Sequence, residues 1–341
     1  MKDQIEIKTE TPLLKPDGTL NAPGYCKRNL FIYNRENITA PKLRIKEWDF
    51  YQVSNGRYMV QICFANISLG AAGTAAFVDL KTGRRADAIG LTLGAVNRCR
   101  LPANGDKPYF FDYKKGNFKL VFDVKETTRT LVAEGMFKGA PLKMRFELEV
   151  PEGTESLTIA TPFKKPNRFF YTQKLNPMPA TGVVELGGEK IVFGENSFGV
   201  LDWGRGAWPY KNIWFWGNAS ARINGKLFGF ELTWGFGDES YATETAIYYD
   251  GKCHKIGRVW VDPDPEGRWM EDWVFKSEDN RLNMVMKPFF DNDTGVVVLG
   301  LIGARCHQVH GLATGTAVLD DGTVLEFKDL YMFCEKMNNR W

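Results

Sequence analysis

Phe228-Gly229-Phe230-Glu231-Leu232-Thr233-Trp234 puts an apolar or aromatic side chain at every even position and a small or polar one at every odd position. A period of two is that of a β-strand with one apolar face, because successive side chains leave a strand on opposite sides. The texture recurs along the chain. Runs rich in Val, Ile, Phe, Tyr and Trp occupy 57–67, 118–124, 142–150, 226–235, 241–249, 296–301 and 324–330. Turn dipeptides punctuate them: Asp17-Gly18, Asn55-Gly56, Asn104-Gly105, Asn224-Gly225, Asp250-Gly251 and Asp321-Gly322. Asn-Gly and Asp-Gly favour type I′ turns, whose twist matches that of paired strands. No long stretch repeats convincingly at 3.6 residues. The chain therefore reads as all-β and mostly antiparallel, in sandwiches or barrels with little helix.

At 341 residues the chain is long for one domain and comfortable for two. Pro162, Pro166, Pro177 and Pro179 crowd its middle. Proline interrupts ladder pairing, so this segment reads as a crossover between domains 1–175 and 176–341, each about the size of one barrel. No internal sequence repeat is visible, as expected of two barrels that have diverged. The longest apolar run, Gly295 to Ala304, is far too short to cross a bilayer and reads as a buried strand. No integral membrane segment is expected.

Charge excludes some partners. Lys and Arg number 44 against 41 Asp and Glu, a net of +3. That balance argues against nucleic acid, which calls for a basic stripe. Lys164-Lys165 and Arg84-Arg85 read as solvated surface pairs. The cysteines at 26, 63, 99, 253, 306 and 334 are scattered, with no C-x-x-C spacing. The opening Met1-Lys-Asp-Gln-Ile-Glu6 lacks a signal peptide's apolar core. Both features point to a cytoplasmic, reducing setting with free thiols. Oligomeric state is not legible.

The densest stretch is Val200-Leu-Asp202-Trp203-Gly-Arg205-Gly-Ala-Trp208-Pro-Tyr210-Lys-Asn-Ile-Trp214-Phe-Trp216. Five of the ten tryptophans lie between Trp203 and Trp234. Packing alone rarely calls for so many, and an aromatic pocket with a few fixed polar groups is the functional reading. Trp214 and Trp216 would share one strand face. Filling a barrel end is the bland alternative. Arg205 could clamp a substrate anion or set the charge of Asp202, or the two could brace a loop.

If the hairpin after Trp234 turns at Gly237-Asp238, Glu231 lies directly opposite Glu244. Two carboxylates about 5 Å apart at Cβ cannot both ionise cheaply. The one that keeps its proton is a general acid. The alternative is that both face water. His307 and His310, beside Cys306, are three apart, which on a strand puts the rings on opposite faces and argues against a metal site. His307 or His310 could still serve as a single acid, base or hydrogen-bond donor. No phosphate-binding glycine loop or Ser-His-Asp arrangement is legible.

The chain resembles a known family. Asp202-Trp-Gly-Arg-Gly-Ala-Trp208, Trp214-Phe-Trp216-Gly, Phe228-Gly-Phe230, Gly235-Phe-Gly-Asp238 and Thr243-Glu244 look like the bacterial proteins grouped as domain of unknown function 2804. Arg44-Ile-Lys46-Glu-Trp48-Asp49-Phe-Tyr51, Phe77-Val-Asp79, and Leu319-Asp-Asp-Gly322 through Glu335 to Trp341 extend the likeness over nearly the whole chain. Thr245 follows Glu244 where the family pattern has asparagine. Such proteins are distantly similar to carotenoid 1,2-hydratases, AttH-like proteins and fungal Diels–Alderases. The resemblance implies two lipocalin-like barrels in tandem and apolar, unsaturated substrates held inside a barrel or between the two.

Three functions follow as expectations. The first is a cofactor-free hydratase, isomerase or cyclase for an apolar unsaturated molecule. Asp202, Glu231 and Glu244 would be its catalytic acids. Trp203, Arg205, Trp208, Trp214, Trp216, Trp234 and His307 would bind the ligand. The second is a lipocalin-like carrier of a hydrophobic ligand. The third, carbohydrate chemistry, ranks last because nothing suggests secretion. The first barrel is expected to buttress the second.

Overall fold

A computed structural model describes residues 3–96, 98–298, 300 and 302–341. Among them the regular structure is strand, with two short 3-10 turns, Arg35–Asn37 and Lys42–Arg44, and no α-helix. Two large antiparallel sheets hold most of it. In spatial order the first runs Arg85–Leu93, Gly70–Asp79, Tyr58–Asn66, Ile45–Ser54, Phe198–Ala207, Phe169–Leu186, Ala140–Glu149, Thr128–Phe137, Phe118–Val124, Tyr109–Lys115. The second runs Lys252–Lys255, Glu244–Tyr249, Lys226–Trp234, Lys211–Ile223, Val324–Arg340, Ile302–Val318, Leu282–Val298, Trp273–Ser277, Val259–Val261. Each sheet meanders outward from its first long strand, and its last long strand returns to pair with that first one. This shared plan makes two lipocalin-like barrels in tandem, without any repeat in the sequence.

The barrel interiors are filled. Tyr51, Phe64, Phe122, Phe146 and Trp203 pack in the first. Phe228, Phe230, Leu232, Trp273 and Met332 pack in the second. The even positions of 228–232 therefore face a barrel core, as their period requires. Asn224-Gly225 (φ 53° and 76°) and Asp250-Gly251 (φ 51° and 77°) close hairpins with the positive angles of a type I′ turn.

Three expectations are corrected. The change of sheet falls between Ala207 and Lys211, beyond 175/176. Pro177 and Pro179 sit instead inside the Phe169–Leu186 strand, where the register slips between Leu175 and Met178. A bulge is one of the few places where a sheet tolerates proline. The apolar run from Gly295 is not a buried strand. Val296 and Val297, 56% and 66% exposed, stand near the end of a long hairpin; Leu299 and Leu301 of that run lie outside the described residues. Finally, Glu231 does not face Glu244. Its partner is Ala246, and Glu244 pairs with Thr233. The strand starts late because Tyr241 O accepts from Ile5 N (2.9 Å) and Thr243 N donates to Gln4 Oε1 (2.8 Å). The N-terminal segment thus holds 241–243 in the loop.

Candidate acid cleft between the sheets

Thr172, Lys174 and Asn176 share one face of the Phe169–Leu186 strand by the period of two. That face meets the second sheet. Asn176 Nδ2 donates to Ala219 O (2.9 Å) and Phe230 O (3.2 Å), fastening the second sheet's backbone to the first. Glycine at 229 permits this approach, since a Cβ there would lie 2.5 Å from Asn176 Nδ2. The small residues beside Glu231 thus make room for a neighbouring strand.

Lys174 enters the same junction. Its Nζ lies 2.9 Å from Asp202, its cross-strand partner, 3.1 Å from Glu244 and 3.6 Å from Glu231. The three carboxyls proposed from sequence therefore converge on a cation that sequence reasoning missed. The Trp216 ring centre lies 4.8 Å from the same ammonium. Burial works against the charged lysine, but Asp202, then Glu244 and Glu231, outweigh it and hold the ammonium charged.

One cation cannot balance three carboxylates. Burial pushes Glu231 up to about 8, and the neighbouring Glu244 and Asp202 add to this against the pull of Lys174. Burial also raises Glu244, with Lys174 opposing and Asp202 reinforcing. Glu231 is held by Thr233 Oγ1 (3.0 Å) and Asn218 Nδ2 (3.2 Å). Burial and like charge thus favour the proton on Glu231 and Glu244.

Asp202 is the group through which it opens. Its side chain is 15% exposed, against 0% for Glu231 and 5% for Glu244. It lines a cavity of about 280 Å³ between the outer faces of the two sheets. Trp48, Phe50 and Cys63 wall it from the first sheet; Trp214, Trp216, Cys306, Gln308 and Glu335 wall it from the second. The first barrel therefore supplies part of the wall as well as support. Glycine at 204 leaves the space that Trp48 fills.

Glu335 was not foreseen. It lies directly opposite Trp216 and Gln308 on the neighbouring strands. Gln308 Nε2 (3.1 Å) and the Cys306 thiol (3.5 Å) donate to its Oε2. Burial raises it to about 7. Lys174 leaves a sequence signal, a single charge within Phe169-Phe-Tyr-Thr-Gln-Lys174-Leu, whereas Glu335, followed at once by Lys336, leaves none.

The other sequence candidates fall elsewhere. Trp203 is buried in the first barrel, its ring 3.9 Å from the Arg205 guanidinium. Arg205 Nη2 lies 2.8 Å from Asp49, and its N–H groups donate to Trp48 O, Gly204 O and Pro102 O. It braces the strands around it. Trp208 sits among Trp48, Phe163, Phe170, Trp214 and Phe236 in an aromatic plug. Trp234 stacks on Phe215 at 4.7 Å, on the second barrel's core side. His307 Nδ1 pairs with Asp291 at 2.8 Å, and its ring stacks on Trp269 at 4.2 Å, away from the cleft-lining Gln308. His310, bonded to Tyr331 Oη at 2.8 Å, is pushed down to about 3 by burial. Among the described residues no three His, Cys, Asp or Glu side chains are grouped to hold a metal. No helix there is long and apolar enough to cross a membrane.

The whole fold has solved counterparts. Kievitone hydratase from Nectria haematococca superposes over 97% of this chain and 98% of its own, at 12% identity and a TM-score of 0.51. CghA does so over 99% and 96%, at 12% identity and a TM-score of 0.50. An AttH-like protein from Nitrosomonas europaea covers 85% of this chain and 92% of its own, at 12% identity and a TM-score of 0.48. At such identity the likeness is one of fold. No functionally curated protein matches by sequence. The family model described as domain of unknown function 2804 (DUF2804) matches residues 4–341, and the chain belongs to that family.

Proposed function

We propose that this protein is a cofactor-free acid catalyst of the hydratase, isomerase or cyclase type, acting on an apolar unsaturated small molecule in the cleft between the sheets. One observation carries the reading. Two carboxyl groups, Asp202 and Glu335, line one aromatic cavity in different electrostatic settings. Lys174 faces the first. Burial favours the proton on the second. Two carboxyls in such unlike surroundings can divide acid and base work.

In this reading Glu335 donates its proton to a substrate double bond and becomes a carboxylate. The ring faces of Trp214 and Trp216 stabilise the carbocation. Water adds to that cation and gives its proton to Asp202, or a neighbouring carbon gives its proton to Asp202 and the double bond migrates. Glu231 and Glu244 do not line the cavity. They act through Lys174, as positioning residues that fix the charge and orientation of Asp202.

A hydrophobic-ligand carrier of the same fold would hold its ligand unchanged, and this separates the two. The protein is incubated with an apolar extract of its source cells, alongside Asp202→Asn and Glu335→Gln. High-resolution mass spectrometry then compares free and protein-bound species. A molecule that gains water or isomerises with wild type alone supports the enzyme. A molecule bound equally by all three and chemically unchanged supports the carrier.

A further inference from the structure

A second concavity of about 920 Å³ lies at the junction of the sheets, on the far side of the aromatic plug from the acid cleft. Its charge is one-sided. Arg44, Lys164, Lys165, Arg168 and Lys211 line it, with Asp238 as the one carboxylate side chain among its walls. The lysine pair that reads as solvated surface in the sequence is thus brought together with Arg168 of its own turn and with two cations distant along the chain, Arg44 and Lys211.

The positions are built. Phe163 N donates to Arg168 O (3.0 Å) and Arg168 N to Lys165 O (2.9 Å), closing the turn that presents both lysines. Asp238 N donates to Pro162 O (2.8 Å), bringing the Gly235–Asp238 loop of the second sheet against that turn. Arg44 Nη1 reaches Trp341 O (2.6 Å), and its guanidinium lies over the Tyr210 ring.

Some surface cations elsewhere are paired, as in Arg84–Glu189, Arg100–Glu36 and Lys226–Asp250; what sets the groove apart is five cations lining one concavity. Among the described residues Lys164, Lys165, Arg168 and Lys211 have no carboxylate in ion-pair contact. Arg168 is only 9% exposed, and among the described residues its guanidinium makes one hydrogen bond, a 3.4 Å contact with Asn167. Burial and the nearby Arg44 both disfavour its charge. Lys211 stands directly opposite Arg340 in the ladder, a like-charge pairing that destabilises a sheet. Several cations held together at such cost, above the apolar rings of Phe163 and Phe236, suit an anion with several oxygens.

We infer that this groove is a binding site for a phosphate group carried on a small apolar or aromatic body. The inference is independent of the acid cleft. The phosphate could belong to a soluble metabolite or to a lipid headgroup, and the recognising chemistry is the same.

The test uses the full chain and inorganic pyrophosphate, titrated by calorimetry. Saturable binding that weakens with added salt is expected. Lys164→Glu combined with Lys165→Glu should weaken it by about tenfold or more, and so should Arg168→Gln. Both lysines are exposed, so the double variant keeps its fold. Lys190→Glu, at an exposed position of the strand Glu189–Phe193, should bind as wild type. Co-sedimentation with phosphatidylcholine vesicles, with and without phosphatidylglycerol, separates the sources. Capture by the anionic vesicles that pyrophosphate reverses assigns a lipid headgroup; pyrophosphate binding without capture assigns a soluble phosphate. No binding of either probe, or binding that the groove variants leave unchanged, overturns the inference.

Discussion

Lys174 Nζ and Glu244 Oε1 stand 3.1 Å apart although their strands belong to different sheets. The contact makes the buried charge cluster a fastening between the barrels, reaching the cleft through Asp202 alone. Removing one member of such a cluster leaves uncompensated buried charge, which costs about 3–5 kcal/mol. Lys174→Met should therefore destabilise by roughly that amount in denaturant unfolding. Adding Glu231→Gln and Glu244→Gln to it should recover most of the loss. A triple variant no more stable than Lys174→Met would show that the carboxylates are not what the lysine compensates.

Stability should also depend on pH in a direction set by Glu231. Its folded-state value is raised, by burial, from an ordinary 4.5 to about 8. The folded chain then binds more protons than the unfolded chain between those limits. This contribution to stability is full below pH about 4.5 and is lost as pH rises through about 8. Wild type should lose stability relative to Glu231→Gln across that window, as measured by urea unfolding at successive pH values. Parallel curves for the two proteins would contradict the assignment.

The junction is as sensitive to shape as to charge. A Cβ at residue 229 would meet Asn176 Nδ2 at 2.5 Å and Ala219 O at 2.7 Å. Gly229→Ala should cost about 1–3 kcal/mol through overpacking. Near-ultraviolet circular dichroism should report it through Trp216, whose ring lies beside Lys174. An unchanged spectrum with unchanged stability would mean that the sheets separate without strain there.

Turnover should carry the signature of Glu335, raised by burial to about 7. A general acid works only while protonated, so the rate should fall as pH rises through about 7. Glu335→Gln should abolish that alkaline limb together with most of the activity, by a factor of about 10² or more. Asp202→Asn should leave ligand binding measurable and stop turnover.

Much of this architecture was legible from periodicity. The alternation at 228–234 assigns Phe228, Phe230 and Leu232 to a core and Glu231 to the opposite face, and both hold. The three carboxyls were legible one by one, but the register joining two of them was not. Gln4 and Ile5, more than 230 residues away in sequence, hold the loop that sets it. The proline cluster misled because a bulge accommodates proline as well as a linker does. Arg205 was legible as charged and near the tryptophans, whereas its partner Asp49 lies on another strand. Lys174 and Glu335 sit in stretches buried on both faces, Glu335 directly beside a second charge, Lys336. A strand buried on both faces shows no alternation that would say which neighbour such a charge meets.

The most direct test of acid catalysis in the cleft is isotopic. Wild-type protein, Asp202→Asn and Glu335→Gln are incubated with the apolar extract in D₂O, and the products are analysed by mass spectrometry. Proton delivery from a cleft carboxyl predicts a product bearing carbon-bound deuterium with wild type and unchanged, still-bound substrate with both variants. A ligand recovered without deuterium from wild type, and held equally by all three proteins, would contradict catalysis and leave the cleft as a carrier's pocket.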